Sequence, residues 1–407
     1  MQINADLHIH SRFSGATSSS MTIKKLAESA PKKGIDVLAT GDCLHGEWQK
    51  EIKECEKIDD GTFEKRGTRF ILSTEVEDMN RVHHLLYFPS FSQVEEFRKR
   101  VEKFSTDLDG DGRPKIRLSG IEIAQIAKDL DILIGPAHAF TPWTAMYAYH
   151  NSLKDCYGDL ADYVSFLELG LSADSDYADR ISELHRLTFL TNSDSHSPHP
   201  VRLAREFNRM EVEDVTFEGI RKAILRRGGN KVILNVGFPP QEGKYNETAC
   251  IKCYRHFSLE EAIARKWRCV CGGRIKKGVK DRVRELADLE EPRHPDHRPP
   301  YLHIIPLTEI IAKAIGQSSV FTKKVESLWE NLVSHFGSEV NVLVDASIDE
   351  IAIYSNPAVA EAIDLFRKGK VKIIPGGGGG KYGVIEIHPS EEYIPVNFNR
   401  QKSLLDF

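Results

Sequence analysis

The sequence predicts an α/β fold in three consecutive regions, and three observations support this prediction. Up to residue 237, short apolar runs alternate with amphipathic helical patterns, which is typical of a parallel sheet or a βα barrel. Four cysteines then lie close together between Cys250 and Cys271. Beyond residue 300, helical and strand patterns mix again. We therefore predict a βα core, a compact cysteine module and a mixed α/β region.

The composition is that of a large globular protein. The chain has 407 residues, of which 41% are hydrophobic, so it can bury a large core and form two or three domains. Its formal net charge of -5 provides no overall attraction for nucleic acid, so any DNA contact must come from a local patch. No apolar stretch is long enough to span a membrane, and the amino terminus lacks a signal-peptide pattern. We expect a soluble, cytoplasmic protein without a membrane partner.

Side chains that bind metals follow the predicted strands of the first region. The apolar runs predicted as strands are residues 35–40, 70–74, 132–136, 164–168 and 187–191. At or just after their carboxyl ends come Asp42, Glu75, His138, Asp194 and His196. In βα barrels this end of the strands carries the active site, so we expect these side chains to converge.

His8 and His10 stand two residues apart on the first predicted strand. Both side chains therefore point to the same face and can bind one ion. Alone, such a pair is more often two half-exposed histidines than a ligand pair, so its companions decide the interpretation. The alternative is a set of buried structural polar residues, which would be costly without charge compensation.

The order of these motifs, with Asp6-Leu7-His8-Ile9-His10 first and Ser193-Asp194-Ser195-His196 last, resembles the PHP (polymerase and histidinol phosphatase) family. This resemblance covers about the first half of the chain. It implies a distorted (β/α)7 barrel and a phosphoesterase site with two or three divalent cations, Zn²⁺, Mn²⁺ or Mg²⁺. It also implies that a metal-activated water attacks phosphorus, with Asp194 and Glu75 as the catalytic residues.

The same resemblance implies ligands for each ion. The first ion would be held by His8, His10, Glu75 and Asp194, and the second by Glu75, His84 and His138. The third would be held by Asp42 and His196. Of the adjacent His83 and His84 only one can face the centre, and we select His84 because it directly precedes Leu85-Leu86, as in the family pattern.

The cysteine module has the composition of a structural zinc site. Its thiols come as two pairs, Cys250 with Cys253 and Cys269 with Cys271. Four thiolates suit tetrahedral Zn²⁺, and the two glycines after Cys271 permit the tight turn that such a site needs. We therefore predict bound Zn²⁺.

A basic patch surrounds these cysteines and is interleaved with Tyr254 and Trp267. Beside a phosphoesterase centre, we interpret it as a DNA-binding surface. The alternative is a solvated helix face. The residues that we assign to DNA binding are Arg265, Lys266, Arg268, Arg274, Lys276 and Lys277.

The third region is predicted to contain helices at residues 308–316, 321–336 and 357–368 and a strand at residues 340–344. A run of glycines, Gly376 to Gly380, could let the backbone approach a nucleotide closely, so we add Gly377 and Gly378 to the DNA-binding set. The alternative for this run is a flexible turn.

The last residues match the start of the peptide that binds the PCNA sliding clamp, with Gln401, Leu404 and Phe407 as the contact residues. The alternative is a tail that packs on the core. The predicted regions are therefore residues 1–237, 238–300, 301–400 and 401–407.

This succession of regions resembles the endonuclease Q family of DNA-repair enzymes over essentially the whole chain. The resemblance implies hydrolysis of the phosphodiester on the 5′ side of uracil, hypoxanthine, xanthine and abasic sites, and association with the nucleoid. Two alternatives remain open at this point, a small-molecule phosphatase and a catalytically inactive scaffold that binds DNA or a clamp.

Overall fold

The structure, a computed structural model, describes residues 1–387. Its strands are β1 Gln2–Asp6, β2 Val37–Ala39, β3 Glu56–Lys57, β4 Thr62–Lys65, β5 Thr68–Ile71, β6 Ser73–Glu77, β7 His83–Tyr87, β8 Leu133–Pro136, β9 Phe166–Glu168, β10 Thr188–Leu190, β11 Phe207–Glu211, β12 Lys231–Gly237, β13 Ala249–Cys250, β14 Ile275–Lys276, β15 Tyr301–His303, β16 Lys372–Ile374 and β17 Val384–Glu386.

The helices alternate with the strands in the first region and dominate the last. They are α1 Ile23–Lys33, α2 Gly46–Lys53, α3 Phe91–Val101, α4 Gly120–Asp129, α5 Met146–Tyr149, α6 Leu153–Tyr157, α7 Ser175–Ala178, α8 Phe217–Leu225, α9 Leu259–Ala264, α10 Val279–Leu286, α11 Leu307–Ala314, α12 Lys323–Phe336, α13 Ile348–Tyr354 and α14 Pro357–Arg367. Among residues 1–387 no helix is both long and apolar enough to cross a membrane.

The main sheet has eight strands in the order β15-β12-β11-β1-β2-β5-β4-β3. Pairing is parallel between β1 and β2, β2 and β5, and β12 and β15, and antiparallel elsewhere in this sheet. The fold is thus mixed α/β, as predicted. Closure into a seven-stranded barrel is not confirmed, because within residues 1–387 the strands form separate open sheets.

A second, antiparallel sheet of β6, β7 and β8 stands beside the main one. It follows β5 after one residue, so Glu75 comes close to the ends of β1 and β2. The strands β9 and β10 form a parallel pair. Every residue of β7, β8, β9 and β10 is buried. Such strands, covered on both faces, read in the sequence as continuous apolar runs.

Local signals in the sequence fix the ends of several helices. Thr22 caps α1 by accepting a hydrogen bond from the backbone of Lys25, and Gly34 ends this helix in the left-handed region, with φ 84°. Ser119 and Glu122 form a reciprocal capping box at the start of α4. These caps satisfy backbone groups that the helices leave unpaired.

The cysteine module lies in the chain between β12 and β15, which pair with each other in the main sheet. Within it, β13 and β14 form an antiparallel pair, and Ser258 and Glu261 cap α9 reciprocally. A small cluster of buried residues, among them Phe257 and Ile275, forms its core.

The last region packs its helices into the same hydrophobic core as the first. The three helices predicted for this region are present as α11, α12 and α14. The predicted strand at residues 340–344 is wrong, since Asn341–Asp345 forms a π-helical turn with Val342, Leu343 and Val344 buried. A short apolar run has no periodicity that separates a strand from a buried helical turn.

Candidate metal centre

The first strand leads directly to the two histidines of the candidate centre. The chain continues from β1, and the backbone N–H of His10 donates to the carbonyl of Ser195 over 2.9 Å. This contact brings the segment around Asp194 beside both rings. Within residues 1–387, the Nε2 atoms of His8 and His10 and Oδ1 of Asp194 are buried without a hydrogen-bond partner. Buried polar atoms of this kind call for an ion or water between them.

These unpaired atoms converge with Glu75. His10 Nε2 lies 3.4 Å from Glu75 Oε2 and 3.2 Å from Asp194 Oδ1. His8 Nε2 lies 3.8 Å from Glu75 Oε1 and 3.8 Å from Asp194 Oδ1. Ligand atoms about 2.0–2.2 Å from a shared ion are spaced at comparable distances, so these four side chains fit a divalent cation.

A second group joins Glu75 to His83 and His138. Glu75 Oε1 lies 2.8 Å from His83 Nδ1 and 2.9 Å from His138 Nε2. The two ring nitrogens are 3.3 Å apart. The carboxylate of Glu75 is therefore shared between both groups, as a bridging ligand would be.

His83 takes the place that we predicted for His84, and strand register explains this correction. In the antiparallel pair of β6 and β7, His83 stands opposite Glu77, and His84 stands opposite Val76. Side chains alternate along a strand, so His83 shares the face of Glu75 and His84 points to the other face. There, His84 Nδ1 lies 2.8 Å from the hydroxyl of Tyr157.

A third group consists of His10, Asp194 and His196. The predicted pairing of Asp42 with His196 is not observed. Instead, Asp42 Oδ1 lies 3.0 Å from His10 Nδ1, and Asp42 Oδ2 accepts hydrogen bonds from the backbone of Ser11 and the hydroxyl of Ser14. Both oxygens of Asp42 therefore have partners in the protein. Its contact with Nδ1 orients the ring of His10.

Glu168, which the sequence analysis missed, does the same for His8. Its Oε2 lies 2.9 Å from His8 Nδ1 and accepts a hydrogen bond from Asn192, and its Oε1 accepts one from the backbone of His138. The available signal was its position at the end of the predicted strand 164–168, the criterion that selected Glu75. Arg113, also missed, donates to Glu75 Oε2 over 3.3 Å, and no sequence pattern singles it out.

The electrostatics of the cluster favour a cation. Burial opposes a charged His8, yet the carboxylates of Glu168, Glu75 and Asp194 raise its pKa to about 9. Burial likewise opposes a charged Glu75, but His83, His10 and His138 hold the pKa of its carboxyl well below the usual range. The concentrated negative charge that favours a protonated imidazole would equally favour a divalent ion.

The four cysteine thiols meet as predicted. Cys250 Sγ lies 3.5 Å from Cys271 Sγ, and Cys253 Sγ lies 3.6 Å from Cys269 Sγ. Thiolates bound at about 2.3 Å to one tetrahedral ion are about 3.8 Å apart, so the cluster fits a metal. Gly273 is required here, because a Cβ at this position would lie 2.6 Å from Cys250 Sγ.

The candidate metal centre opens into a cleft of about 660 Å³. Cationic and aromatic side chains from distant parts of the chain line it together with Asp194 and His196. They are Arg81, Arg113, Arg202, Arg205, Lys244, Phe238, Tyr245 and Tyr382. A cleft of this size and charge suits a phosphate-bearing ligand as large as a nucleotide.

Comparisons with known proteins identify the family. Residues 306–370 match the MJ0043 C-terminal domain family. The Bacillus subtilis protein YqxK is 31% identical over 408 residues, which cover 95% of this chain and 99% of YqxK. The chain is also similar to the crystal structure of the lesion-specific endonuclease PfuEndoQ from Pyrococcus furiosus, with 52% sequence identity and a TM-score of 0.92. The match covers 98% of this chain and 99% of the PfuEndoQ chain. The chain belongs to the endonuclease Q family.

The chain is similar to two further proteins. An endonuclease Q structure in complex with a 27-mer duplex substrate, with an abasic lesion at the active site, is 52% identical, covers 98% of this chain and 100% of its own, and has a TM-score of 0.91. The Methanocaldococcus jannaschii protein MJ0043 is 50% identical over 275 residues, which are 66% of this chain and 33% of that protein. The chain thus matches about a third of the length of MJ0043.

In this member of the endonuclease Q family, the predicted DNA-binding residues fall into three groups by their exposure. Arg265, Lys266, Arg268 and Arg274 are exposed on the cysteine module, and Lys276 and Lys277 are half-buried. Gly377 and Gly378 are buried instead, and their backbone packs on the module at Glu247 and Cys250. We predicted that the backbone of these glycines approaches DNA closely, but in the structure it approaches the cysteine module instead. Gln401, Leu404 and Phe407 lie outside the described residues.

Proposed function

We propose that this chain is a metal-dependent endonuclease that incises DNA at lesions, and that its catalytic centre is the histidine and carboxylate cluster of the cleft. One observation carries this proposal: unpaired ligand atoms of His8, His10 and Asp194 converge with Glu75 in a cleft lined by arginines. The relative that holds a duplex with an abasic lesion at its active site supports DNA as the substrate.

The residues present suggest how the centre is divided. His8, His10, Glu75 and Asp194 would hold one divalent cation, and Glu75, His83 and His138 a second, with His196 beside the first. Bound cations would supply a hydroxide at neutral pH and would neutralise charge on the phosphodiester. Zn²⁺, Mn²⁺ and Mg²⁺ are the candidates for these ions. Glu168 and Asp42 fix the rings of His8 and His10, which keeps their Nε2 atoms directed at the site.

The cleft provides the groups that a DNA strand requires. Arg113 beside Glu75, with Arg202 and Arg205 in the same cleft, can bind the phosphates around the scissile bond. Tyr245, Phe238 and Tyr382 offer apolar surface for an extruded nucleotide. We propose incision on the 5′ side of uracil, hypoxanthine, xanthine and abasic sites.

The remaining regions would support DNA binding. We propose that Cys250, Cys253, Cys269 and Cys271 bind structural Zn²⁺ and that the exposed arginines of this module contact the DNA backbone. Residues 1–237 would then carry the catalytic centre, and residues 238–300 and 301–400 would add DNA contacts to those of the cleft. The peptide at residues 401–407 would bind a PCNA clamp.

Cleavage of end-labelled duplexes tests the proposed function. Duplexes that carry one abasic site, uracil, hypoxanthine or no lesion are incubated with Mg²⁺ or Mn²⁺, and the wild-type chain is compared with Asp194→Asn. We expect a metal-dependent nick 5′ to the lesion that is lost in the variant. The matched control, Asp162→Asn, removes a carboxylate with 96% of its side chain exposed and should leave the nick intact. Hydrolysis of small phosphate monoesters alone would contradict the proposal.

A further inference from the structure

The segment between His138 and α5 carries an exposed aromatic ring at the edge of the catalytic cleft. Thr141 and Thr144 line this cleft, whereas Pro142 and Tyr149 line a neighbouring one of about 400 Å³. Trp143 lies between the two threonines in the chain, and 42% of its surface is exposed. Its backbone therefore runs between residues of both clefts, and its ring contacts Lys276, which lines the second one.

Both ends of this segment are tied to the candidate metal centre. The backbone of His83 donates to the carbonyl of Thr144 over 2.9 Å, and Thr141 donates to the carbonyl of His138 over 2.9 Å. The hydroxyl of Tyr149 donates to the carbonyl of Trp143 over 2.6 Å. Trp143 is thus held at a fixed position relative to two histidines of the centre.

The conformation of Trp143 carries a cost that packing alone does not explain. Its φ of 94° lies in a region that favours glycine, and large side chains rarely adopt it. A buried ring could offset this strain with hydrophobic contacts, but much of this ring faces solvent. Exposed, strained aromatic residues are typical of binding sites.

Lys276 gives this ring a partner that is suited to DNA. Its ammonium group lies 3.1 Å from the centroid of the Trp143 ring. Within residues 1–387, Lys276 has no ion pair with a carboxylate, whereas its neighbour Lys277 pairs with Glu285. Burial, together with the charge of Arg274, lowers the pKa of Lys276 to about 8. A bound phosphate would supply the missing anion.

We propose that Trp143 is the residue that stacks on the base beside an extruded nucleotide, with Lys276 binding an adjacent phosphate. This inference rests on the proposed function and assigns a further positioning residue to it. An extruded nucleotide leaves a gap in the stack, and a flat ring that fills the gap keeps the nucleotide from returning. Aromatic rings stack on any base, so this contact would serve every lesion equally.

The test compares two duplexes that contain the same abasic site, one fully paired around the lesion and one with mismatches on both sides. Mismatched neighbours are already unstacked, so they need no inserted ring. We expect Trp143→Ala to slow cleavage of the paired duplex at least about fivefold and to leave the mismatched duplex at the wild-type rate. Trp143→Phe, which keeps an aromatic face, should restore most of the rate.

Equal losses on both duplexes would overturn the proposal, because Trp143 would then support only the protein itself. Unchanged rates on both would also overturn it. A wild-type chain that cuts neither duplex would instead contradict the proposed function, so the two failures are distinguishable.

Fluorescence provides a second measurement that does not depend on cleavage. A duplex with 2-aminopurine next to the abasic site is bound by Asp194→Asn, which should not cut it, and by the double variant Asp194→Asn/Trp143→Ala. Stacking on Trp143 should quench the probe in the first complex, and the second complex should be brighter. Identical emission from both complexes at saturation would contradict the stacking role.

Discussion

Glu168 Oε2 lies 2.9 Å from Nδ1 of His8, and both side chains are buried. A carboxylate at this distance fixes the tautomer of the ring and makes Nε2 a stronger ligand. We therefore expect Glu168→Gln to weaken the affinity for Mn²⁺ by about 10- to 100-fold, as measured by isothermal titration. Glu211→Gln, which changes a half-exposed carboxylate on β11, is the control. Equal affinities for both variants would show that Glu168 is only a structural residue.

The adjacent histidines of β7 provide a matched pair. His83→Asn removes a ring that lies 2.8 Å from Glu75, whereas His84→Asn removes one that contacts Tyr157 on the other face. We expect the first variant to lose bound catalytic metal and at least about 100-fold in the rate of cleavage at an abasic site. The second should retain its metal and most of its rate, with lower thermal stability. The reverse order, in metal content measured by mass spectrometry, would contradict this assignment of the ligands.

The histidines of the centre show which features the sequence could predict and which it could not. Alternation along an extended chain predicts that His8 and His10 share a face, and their Nε2 atoms do meet at Glu75 and Asp194, although β1 itself already ends at Asp6. The choice between His83 and His84 depends on the register with β6, which is set by pairing between strands. The same limit applies to the barrel, because local patterns predict the strands but not which strands become neighbours.

Residue type predicted the cysteine cluster correctly, but it could not predict the role of each carboxylate at the metal centre. The four cysteines meet as predicted, since thiols at such spacing have few other uses. Asp42 lies at the centre as expected, yet it contacts Nδ1 of His10 instead of joining a ligand group in the described chain. Ligand and supporting carboxylates are the same residue type, and only distances separate them.

The cysteine cluster makes a prediction about metal content. Cys271→Ser should abolish retention of one zinc ion per chain after dialysis and should destabilise the module, because the thiolates hold segments that otherwise bury few apolar residues. Cys55→Ser, a thiol outside the cluster, should leave the zinc content unchanged. Zinc is quantified with a chromogenic chelator, and protein is quantified in the same sample by its absorbance. Full zinc retention by Cys271→Ser would exclude this residue as a ligand.

Glu206 makes stability depend on pH. Burial raises the pKa of its carboxyl from 4.5 to about 8, and within residues 1–387 only Oε1 accepts a hydrogen bond, from the backbone N–H of Phe238. In the unfolded chain the group ionises near 4.5, so the folded state alone keeps the proton between these values. Stability from this group is therefore present at low pH and falls by about 1.4 kcal/mol per pH unit as the pH rises from 4.5 to 8.

Glu206→Gln removes this titration. Its Tm should rise relative to that of the wild type as the pH increases from 5 to 8, as followed by differential scanning fluorimetry. Glu211→Gln is again the control, because its half-exposed carboxylate should produce no such trend. A constant difference in Tm between Glu206→Gln and the wild type across this range would show that Glu206 does not retain its proton.

Lys33 on α1 and Glu339 after α12 form a buried ion pair that joins the first and last regions. Lys33 Nζ lies 2.6 Å from Glu339 Oε1, and each side chain is 2% exposed. Glu339 Oε2 also accepts a hydrogen bond from the indole of Trp329, and the carbonyl of Pro200 accepts one from Lys33. Removing one partner leaves an uncompensated charge, so we expect Lys33→Met to lower the free energy of unfolding by about 3–5 kcal/mol.

The double variant Lys33→Met/Glu339→Gln distinguishes a penalty of this kind from lost packing. Without either charge the interior is neutral, so the double variant should be more stable than Lys33→Met alone. Urea denaturation monitored by tryptophan fluorescence measures both, with Lys25→Met on the exposed face of α1 as the control. If the double variant is no more stable than Lys33→Met, the stability of this interface depends on the aliphatic part of Lys33 and not on its charge.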